Sequence, residues 1–149
     1  MIHEQNILQL QEFIPYRLNR AAEDISQRFA KHYKQRYGIG RPEWRTLATL
    51  GQFMRMTATD IATHSAMHKT KVSRAVWSLE EKRWLKRFTD DNDRRVEHLE
   101  LTPEGRAVYV QLVDIARAFE AELSRQMGAE ARNALVTALK AIERLDPVR

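Results

Sequence analysis

Thr57–Arg95 reads TATDIATHSAMHKTKVSRAVWSLEEKRWLKRFTDDNDRR, and the punctuation of this stretch decides the fold. Thr57 offers a side-chain oxygen ahead of a short apolar run, and Asp60 follows three residues later. That spacing is a capping box, which opens a helix. Ile61 and Ala62 give this helix an inward face, and His64–Met67 breaks it. From His68 to about Arg83, apolar residues return at Val72, Val76 and Leu79. Steps of three and four predict a second helix, with the aliphatic stem of Arg83 extending its buried stripe. The period then drops to two. Leu85–Thr89 and Val96–Leu101 read as short strands around the polar turn Asp90-Asp91-Asn92-Asp93, a β-hairpin.

Working outward, residues 8–37 read as one long helix, with Ile14, Leu18, Ala22, Ile25, Phe29 and Tyr33 on one face. Pro15 falls near its start, where a missing N–H is tolerated, and Gly38 and Gly40 end it. One apolar face of that length asks for a partner helix, which a second chain can supply. Pro42 suits the first residue of another helix, running to about Phe53 with Trp44, Leu47, Ala48 and Leu50 inward. Downstream, Thr102-Pro103-Glu104-Gly105 places an N-cap and a proline ahead of a helix to about Met127. Its apolar positions include Val108, Leu112, Ile115, Ala116, Phe119 and Leu123. Gly128 breaks it, and a last helix is expected from about Glu130 to Leu145. The expected fold is therefore mainly α with a small β-hairpin wing: a winged helix-turn-helix domain flanked by N- and C-terminal dimerisation helices. It is expected as a single domain over 1–149, with the winged lobe at about 41–103 and dimerisation helices at about 8–37 and 104–146.

The bulk composition narrows the function classes. The chain has 149 residues, enough for one domain with its own core. It has no cysteine, which removes disulfides, thiolate metal sites and thiol redox sensing. No apolar run is long enough to span a bilayer. The start, MIHEQNILQLQEF, has no apolar core of an export signal, so a cytoplasmic location without membrane association is expected. The net charge of +5 is uneven. Residues 41–106 carry 13 basic and 10 acidic side chains, while residues 107–149 carry 6 of each. Within the former, His68–Trp77 holds Lys69, Lys71 and Arg74 and no acid. Such local basic excess is the electrostatic footprint of a polyanion partner.

On the second helix of the motif, Lys69, Thr70, Ser73, Arg74 and Trp77 share the side away from Val72, Val76 and Leu79, with Lys71 flanking. A helix of this kind reads base edges in a major groove while neighbouring cations grip phosphates. An arginine there can pair bidentately with guanine. Thr57, at the head of the first helix, and Arg87, on the first strand, join the candidate DNA contacts. The hairpin adds Arg94 and Arg95 at its tip. An arginine on a protruding loop can enter a narrow minor groove, and Asp93 can orient one of them by a charge-assisted hydrogen bond.

The run Thr59-Asp60-Ile61-Ala62, then Lys69-Thr70-Lys71-Val72-Ser73-Arg74, then Asp93-Arg94-Arg95, then Leu99-Glu100-Leu101-Thr102-Pro103-Glu104-Gly105-Arg106 resembles the MarR family (multiple antibiotic resistance regulator type). The resemblance implies a homodimeric transcriptional regulator on a pseudo-palindromic double-stranded DNA operator, often a repressor released by a small aromatic or anionic ligand. By matching position it implies that Lys69, Thr70, Lys71, Ser73 and Arg74 read the major groove and that Arg95, with Arg94, enters the minor groove. One departure is visible: Ser65-Ala66 stands where a glycine is common, so Ala66 needs either an ordinary backbone angle or modest strain.

A ligand pocket in such an architecture lies between the long helices and the DNA-binding lobe. His32, Tyr33, Arg36, Trp44 and Arg45 are the candidates, since an arginine holds a carboxylate and the aromatics pack on a ring. His64 and His68 have metal-like spacing, but the predicted break between them argues against a shared ion, and no metal or cofactor is expected. No nucleophile–base pair or phosphate-cradling glycine loop suggests an enzyme. Two alternatives stay open: an effector-independent DNA-binding protein, and a winged helix that binds another protein.

Overall fold

The structure is a computed structural model, and it describes residues 6–148. Residues 1–5, where the stretch read as lacking an export signal begins, lie outside the described residues. The order is α1 (Ile14–Tyr37), α2 (Arg41–Phe53), α3 (Ala58–Ser65), α4 (Lys69–Glu81), β1 (Leu85–Thr89), β2 (Glu97–Leu101), α5 (Pro103–Met127) and α6 (Ala129–Glu143). The chain divides into two compact units, one through Val110 and one from Gln111. No helix among the described residues is long and apolar enough to cross a membrane.

In the first unit, α1 begins at Ile14 rather than near residue 8, after a single 3-10 turn at Leu10–Glu12. Pro15 sets that limit. Deeper inside a helix its ring would clash with the carbonyl four residues back, so the helix starts around it. Gly38 closes α1 with φ 66°, its N–H donating to the Lys34 carbonyl at 3.0 Å. At the start of α2, Glu43 accepts the Gly40 N–H at 3.0 Å and the Ser78 hydroxyl at 2.6 Å, which ties α2 to α4.

The core of this unit gathers Leu47 and Leu50 of α2, Ile61 and Ala62 of α3, Val72, Ala75, Val76 and Leu79 of α4, and Leu85, Leu99 and Leu101 of the strands, all buried. Each fully buried aliphatic side chain contributes about 1.5–3 kcal/mol. β1 and β2 pair antiparallel, with Leu85 opposite Leu101 and Phe88 opposite His98. The segment before α3 joins them: Met56 and Leu99 exchange N–H···O bonds of 3.2 and 2.8 Å, which anchors the hairpin to the helices.

Three helix ends have positive φ at a residue that is not glycine: Met54 after α2 has φ 71° and ψ −53°, and the other two lie in the left-handed helical region. After α3, Ala66 has φ 52°, the Met67 N–H reaches the Ala62 carbonyl at 3.1 Å, and the Ala66 N–H reaches Thr63 at 3.4 Å. After α4, Arg83 has φ 61°, the Trp84 N–H reaches Leu79 at 3.0 Å, and the Arg83 N–H reaches Glu80 at 2.9 Å. Both are Schellman endings, in which glycine is usual. Ala66 therefore takes the strained alternative. Arg83 corrects the sequence expectation. The chain must reverse into β1, so α4 stops at Glu81 and Arg83 is exposed instead of lending its stem to the core.

Thr102 opens α5 as expected. Its hydroxyl accepts the Gly105 N–H at 3.0 Å and donates to the Arg83 carbonyl at 2.7 Å. Gly105 is required by space: a Cβ there would fall 1.9 Å from the Trp84 carbonyl oxygen. In the second unit, Gly128 (φ 84°) separates α5 from α6. On α6, Leu135, Leu139 and Ile142 form an exposed apolar stripe at helical spacing, with exposed Leu145 just beyond.

Candidate nucleic-acid interface

Helix α3 is positioned by the capping box read from the sequence. The Thr57 hydroxyl accepts the Asp60 N–H at 3.1 Å, and the Asp60 carboxylate accepts the Thr57 N–H at 3.2 Å. The Thr57 side chain is thus committed to the cap. α4 starts with a cap that the sequence did not signal. His68 Nδ1 accepts the Thr70 N–H at 3.2 Å, so His68 precedes the helix instead of beginning it.

α4 has two chemically distinct sides. Val72, Ala75, Val76 and Leu79 are buried, while Lys69, Thr70, Lys71, Ser73, Arg74 and Trp77 are all exposed. Trp77 keeps 61% of its surface exposed, an unusual setting for a large ring. Among the described residues, Lys69, Lys71 and Arg74 form no ion pair, so this side carries three uncompensated charges on a helix fixed by its opposite face.

The hairpin tip is built differently. Asp90 accepts the N–H groups of Asn92 and Asp93, each at 2.9 Å, and lies 2.8 Å from His98 Nε2. The His98 contact, then the two backbone N–H groups, hold its carboxyl below the ordinary aspartate value. Arg95 lays its guanidinium on Asp93 with bonds of 3.1 and 3.2 Å, and the Arg95 backbone N–H adds a third at 3.0 Å. The Arg95 side chain nevertheless stays 90% exposed. Arg94 beside it is exposed too. Arg87 sits elsewhere on the hairpin, between Glu80 at 2.9 Å and Glu97 at 3.2 Å, so two carboxylates already balance its charge.

The five candidate ligand residues do not converge. Tyr33 is fully buried, stacked on Trp44 with ring centroids 5.9 Å apart, and Phe29 packs edge-on to both at 5.4 and 5.0 Å. Burial pushes the Tyr33 hydroxyl above its ordinary value, against the opposing pull of Arg41. His32 lies 6.2 Å from the Phe29 ring, and the Arg36 guanidinium 5.7 Å from that of Tyr37. Trp44 and Arg45 share a shallow hollow of about 230 Å³ with Gln52 and His64. Arg45 also lines a larger cleft of about 530 Å³ with Lys31, Lys34, Arg41 and Lys71. The sequence reading missed Lys31, Lys34 and Arg41. For Lys31 and Lys34 the signal was present, since residues three apart on a helix share a face. His32 and Arg36 fall roughly a third to a half turn away from that face at 3.6 residues per turn. His64 packs against Phe53, with ring centroids 4.6 Å apart, while His68 caps α4, so the two histidines have separate tasks. Among the described residues no group of three or more His, Cys, Asp or Glu could hold a metal ion.

This arrangement can be set beside known proteins. The profile of the MarR family matches residues 39–96. A MarR-family transcriptional regulator of Silicibacter pomeroyi is similar at 29% identity and TM-score 0.76, over 91% of this chain and 99% of that one. A MarR/EmrR-family regulator of Acinetobacter sp. ADP1 is similar at 25% identity and TM-score 0.80, over 91% and 96%. BpsR of Bordetella bronchiseptica, described for regulation of its DNA binding by 6-hydroxynicotinic acid, shares the fold at 20% identity and TM-score 0.81, over 95% and 100%. No curated protein matches the chain by sequence. Residues 39–96 thus match the MarR-family profile, in a chain that shares the fold of the MarR-family transcriptional regulators.

Proposed function

We propose that this chain is a sequence-specific transcriptional repressor that binds a pseudo-palindromic operator as a homodimer and leaves it when a small ligand binds. The carrying observation is α4, whose outer side presents Lys69, Lys71 and Arg74 unpaired while its inner side is locked in the core. In this reading Arg74 pairs with a base edge in the major groove. Lys69, Thr70, Lys71 and Ser73 divide between bases and phosphates, and Trp77 packs at the edge of the contact. Arg95, pre-oriented by Asp93, enters the minor groove with Arg94 beside it. Thr57 and Arg87 serve indirectly, the first by capping α3 and the second by bracing the hairpin.

The exposed apolar residues support the dimer. Ile14 and Leu18 on α1 and the Leu135, Leu139, Ile142 stripe on α6 are each too apolar to leave in water without cost. Dimerisation through about 8–30 and 107–145 covers them, and two α4 helices then meet two half-sites. The chain works as one functional domain in this scheme, with the lobe at about 41–103 docking on DNA. Regulation of chromosomal DNA sets its work in the cytoplasm, and no catalysis is required of it. BpsR, named for control by 6-hydroxynicotinic acid, supports a small-molecule effector here, with Trp44 and Arg45 the candidate residues nearest a concavity.

The test is selection of bound duplexes from a random pool, followed by salt titration of the winner. A repressor gripping several phosphates loses affinity steeply and linearly in log salt, with a slope near −0.9 per phosphate neutralised. A salt-insensitive interaction, or no enriched duplex, favours the protein-binding alternative. A selected operator whose affinity ignores every small acid tried favours the effector-independent one.

A further inference from the structure

The outer face of the hairpin carries a continuous line of side-chain contacts. Side chains alternate along paired strands, so Leu85, Leu99 and Leu101 turn to the core while Lys86, Phe88, His98 and Glu100 share the opposite face. The line starts outside the hairpin, at Arg55 between α2 and α3. Arg55 Nε donates to Glu100 at 2.9 Å, and its guanidinium lies over the Phe88 ring, 4.3 Å from the centroid. The Phe88 and His98 ring centroids are 5.7 Å apart, and His98 Nε2 lies 2.8 Å from Asp90. Asp90 in turn accepts the N–H groups of Asn92 and Asp93, and Asp93 holds Arg95. Contact is thus unbroken from the helical lobe to the tip.

The backbone is bent to place Arg55 on this face. Around Met54, with its φ of 71° and ψ of −53°, the Arg55 N–H donates to the Phe53 carbonyl at 2.8 Å. This is a γ-turn of the rare, strained kind, centred on a residue that has a side chain. Such strain persists only where the surroundings hold it. Here they do: one residue on, Met56 pairs antiparallel with Leu99, which sets Arg55 opposite Glu100. An exposed ion pair contributes little by itself, so the value of this one lies in direction. It fixes a planar guanidinium whose flat face meets the ring.

We propose that Arg55 is a positioning residue for the wing: braced on Phe88 and Glu100, it sets the pitch of the hairpin and so the place at which Arg95 meets DNA. The DNA half rests on the role proposed for Arg95. A two-stranded hairpin is marginally stable alone, and its tip lies beyond the core. Arg87, paired with Leu99, ties the other face to α4 through Glu80. With Arg55 on the outer face, the hairpin is held from both sides, and a change in either brace tilts it.

The test is a double-mutant cycle on the full-length protein, using the selected operator and a random duplex of equal length at fixed salt. Arg55→Ala should lower the ratio of operator to random-duplex affinity about two- to fivefold, the scale of one exposed cation–π contact. In an Arg95→Ala background it should lower that ratio no further, since Arg55 acts through Arg95. Phe88→Leu, which changes no charge, should reproduce the loss. In the DNA-free protein, Arg55→Ala should move the amide signals of Asn92, Asp93 and Arg95 and leave those of α4 in place. Additive losses in the cycle, or a Phe88→Leu protein with the wild-type ratio, would make Arg55 a direct phosphate contact and overturn the positioning role. Tip signals unmoved by Arg55→Ala overturn the brace itself. If the α4 signals move as well, Arg55 supports the whole lobe and the proposal fails. If only the tip signals move but the wild type enriches no duplex, the brace stands and the DNA-binding reading is what has failed.

Discussion

α4 and the hairpin tip carry their cations in opposite ways. On α4 the backbone is rigid, because one side of the helix is buried, while the charges of Lys69, Lys71 and Arg74 are free. At the tip no core lies beneath, and order comes from side chains holding the turn: Asp90 bridges two N–H groups and His98, and Asp93 holds Arg95. A free charge on a fixed frame adapts to bases and phosphates but must lose rotamer freedom on binding. A tethered charge on a light frame has given up that freedom in advance, and the acid that tethers it weakens its net field. In the proposed DNA complex, specificity by contact and specificity by pre-orientation would be divided between two elements less than thirty residues apart.

The comparison can be broken from the frame side first. Leu79→Ala removes a side chain with no exposed surface beneath α4 and should cost about 2–5 kcal/mol of stability, read by urea denaturation. A loss under about 1 kcal/mol would mean that α4 is not held by its core. Arg74→Ala leaves the frame intact and should cost about 1–3 kcal/mol of operator affinity while relaxing preference at one base position. Wild-type affinity would remove Arg74 from the reading side. Asp93→Ala should release Arg95 and lower the ratio of specific to non-specific affinity by about 0.5–1.5 kcal/mol, the cost of ordering one long side chain at binding. An unchanged ratio would mean that the tether contributes nothing. The smallest effect concerns pH. Because the Asp90 carboxyl is depressed in the folded state, its support of the turn is complete above the ordinary aspartate value and is lost only as pH falls through the lower folded value. Amide signals of Asn92 and Asp93 should therefore stay native at pH 5 and shift only in stronger acid. A transition centred near pH 5 would contradict this.

Most of the fold was legible because its punctuation is local. Thr57 and Asp60, Gly38, Thr102 with Pro103, and the change of period after Leu79 each act within a few residues. What escaped depends on distant or unusual geometry. The end of α4 was misjudged because Arg83, a residue that fits a helix, takes the left-handed turn that the path into β1 demands. His68 as a cap was missed because an imidazole is an uncommon acceptor there. The outer side of α4 followed from spacing alone, and so did the Asp93–Arg95 pair. The scatter of His32, Tyr33, Arg36, Trp44 and Arg45 did not, since periodicity gives each residue a face but not the depth of what lies against it. For the same reason Tyr33 is core and Lys31 and Lys34 border a cleft, although all three share α1.

Gly105 gives the hairpin a consequence of another kind. Its missing side chain lets the first turn of α5 rest directly on the Trp84 carbonyl, at the root of β1. Position 105 therefore works as a gauge block: any residue larger than hydrogen acts as a wedge that levers the strand away from the helix. A lineage can exchange the arginines at the tip, or the exposed side chains of α4, and under the proposed function so acquire new operators. It can do so only while this one joint stays closed, which makes the least chemical residue in the region the one with the least freedom to change.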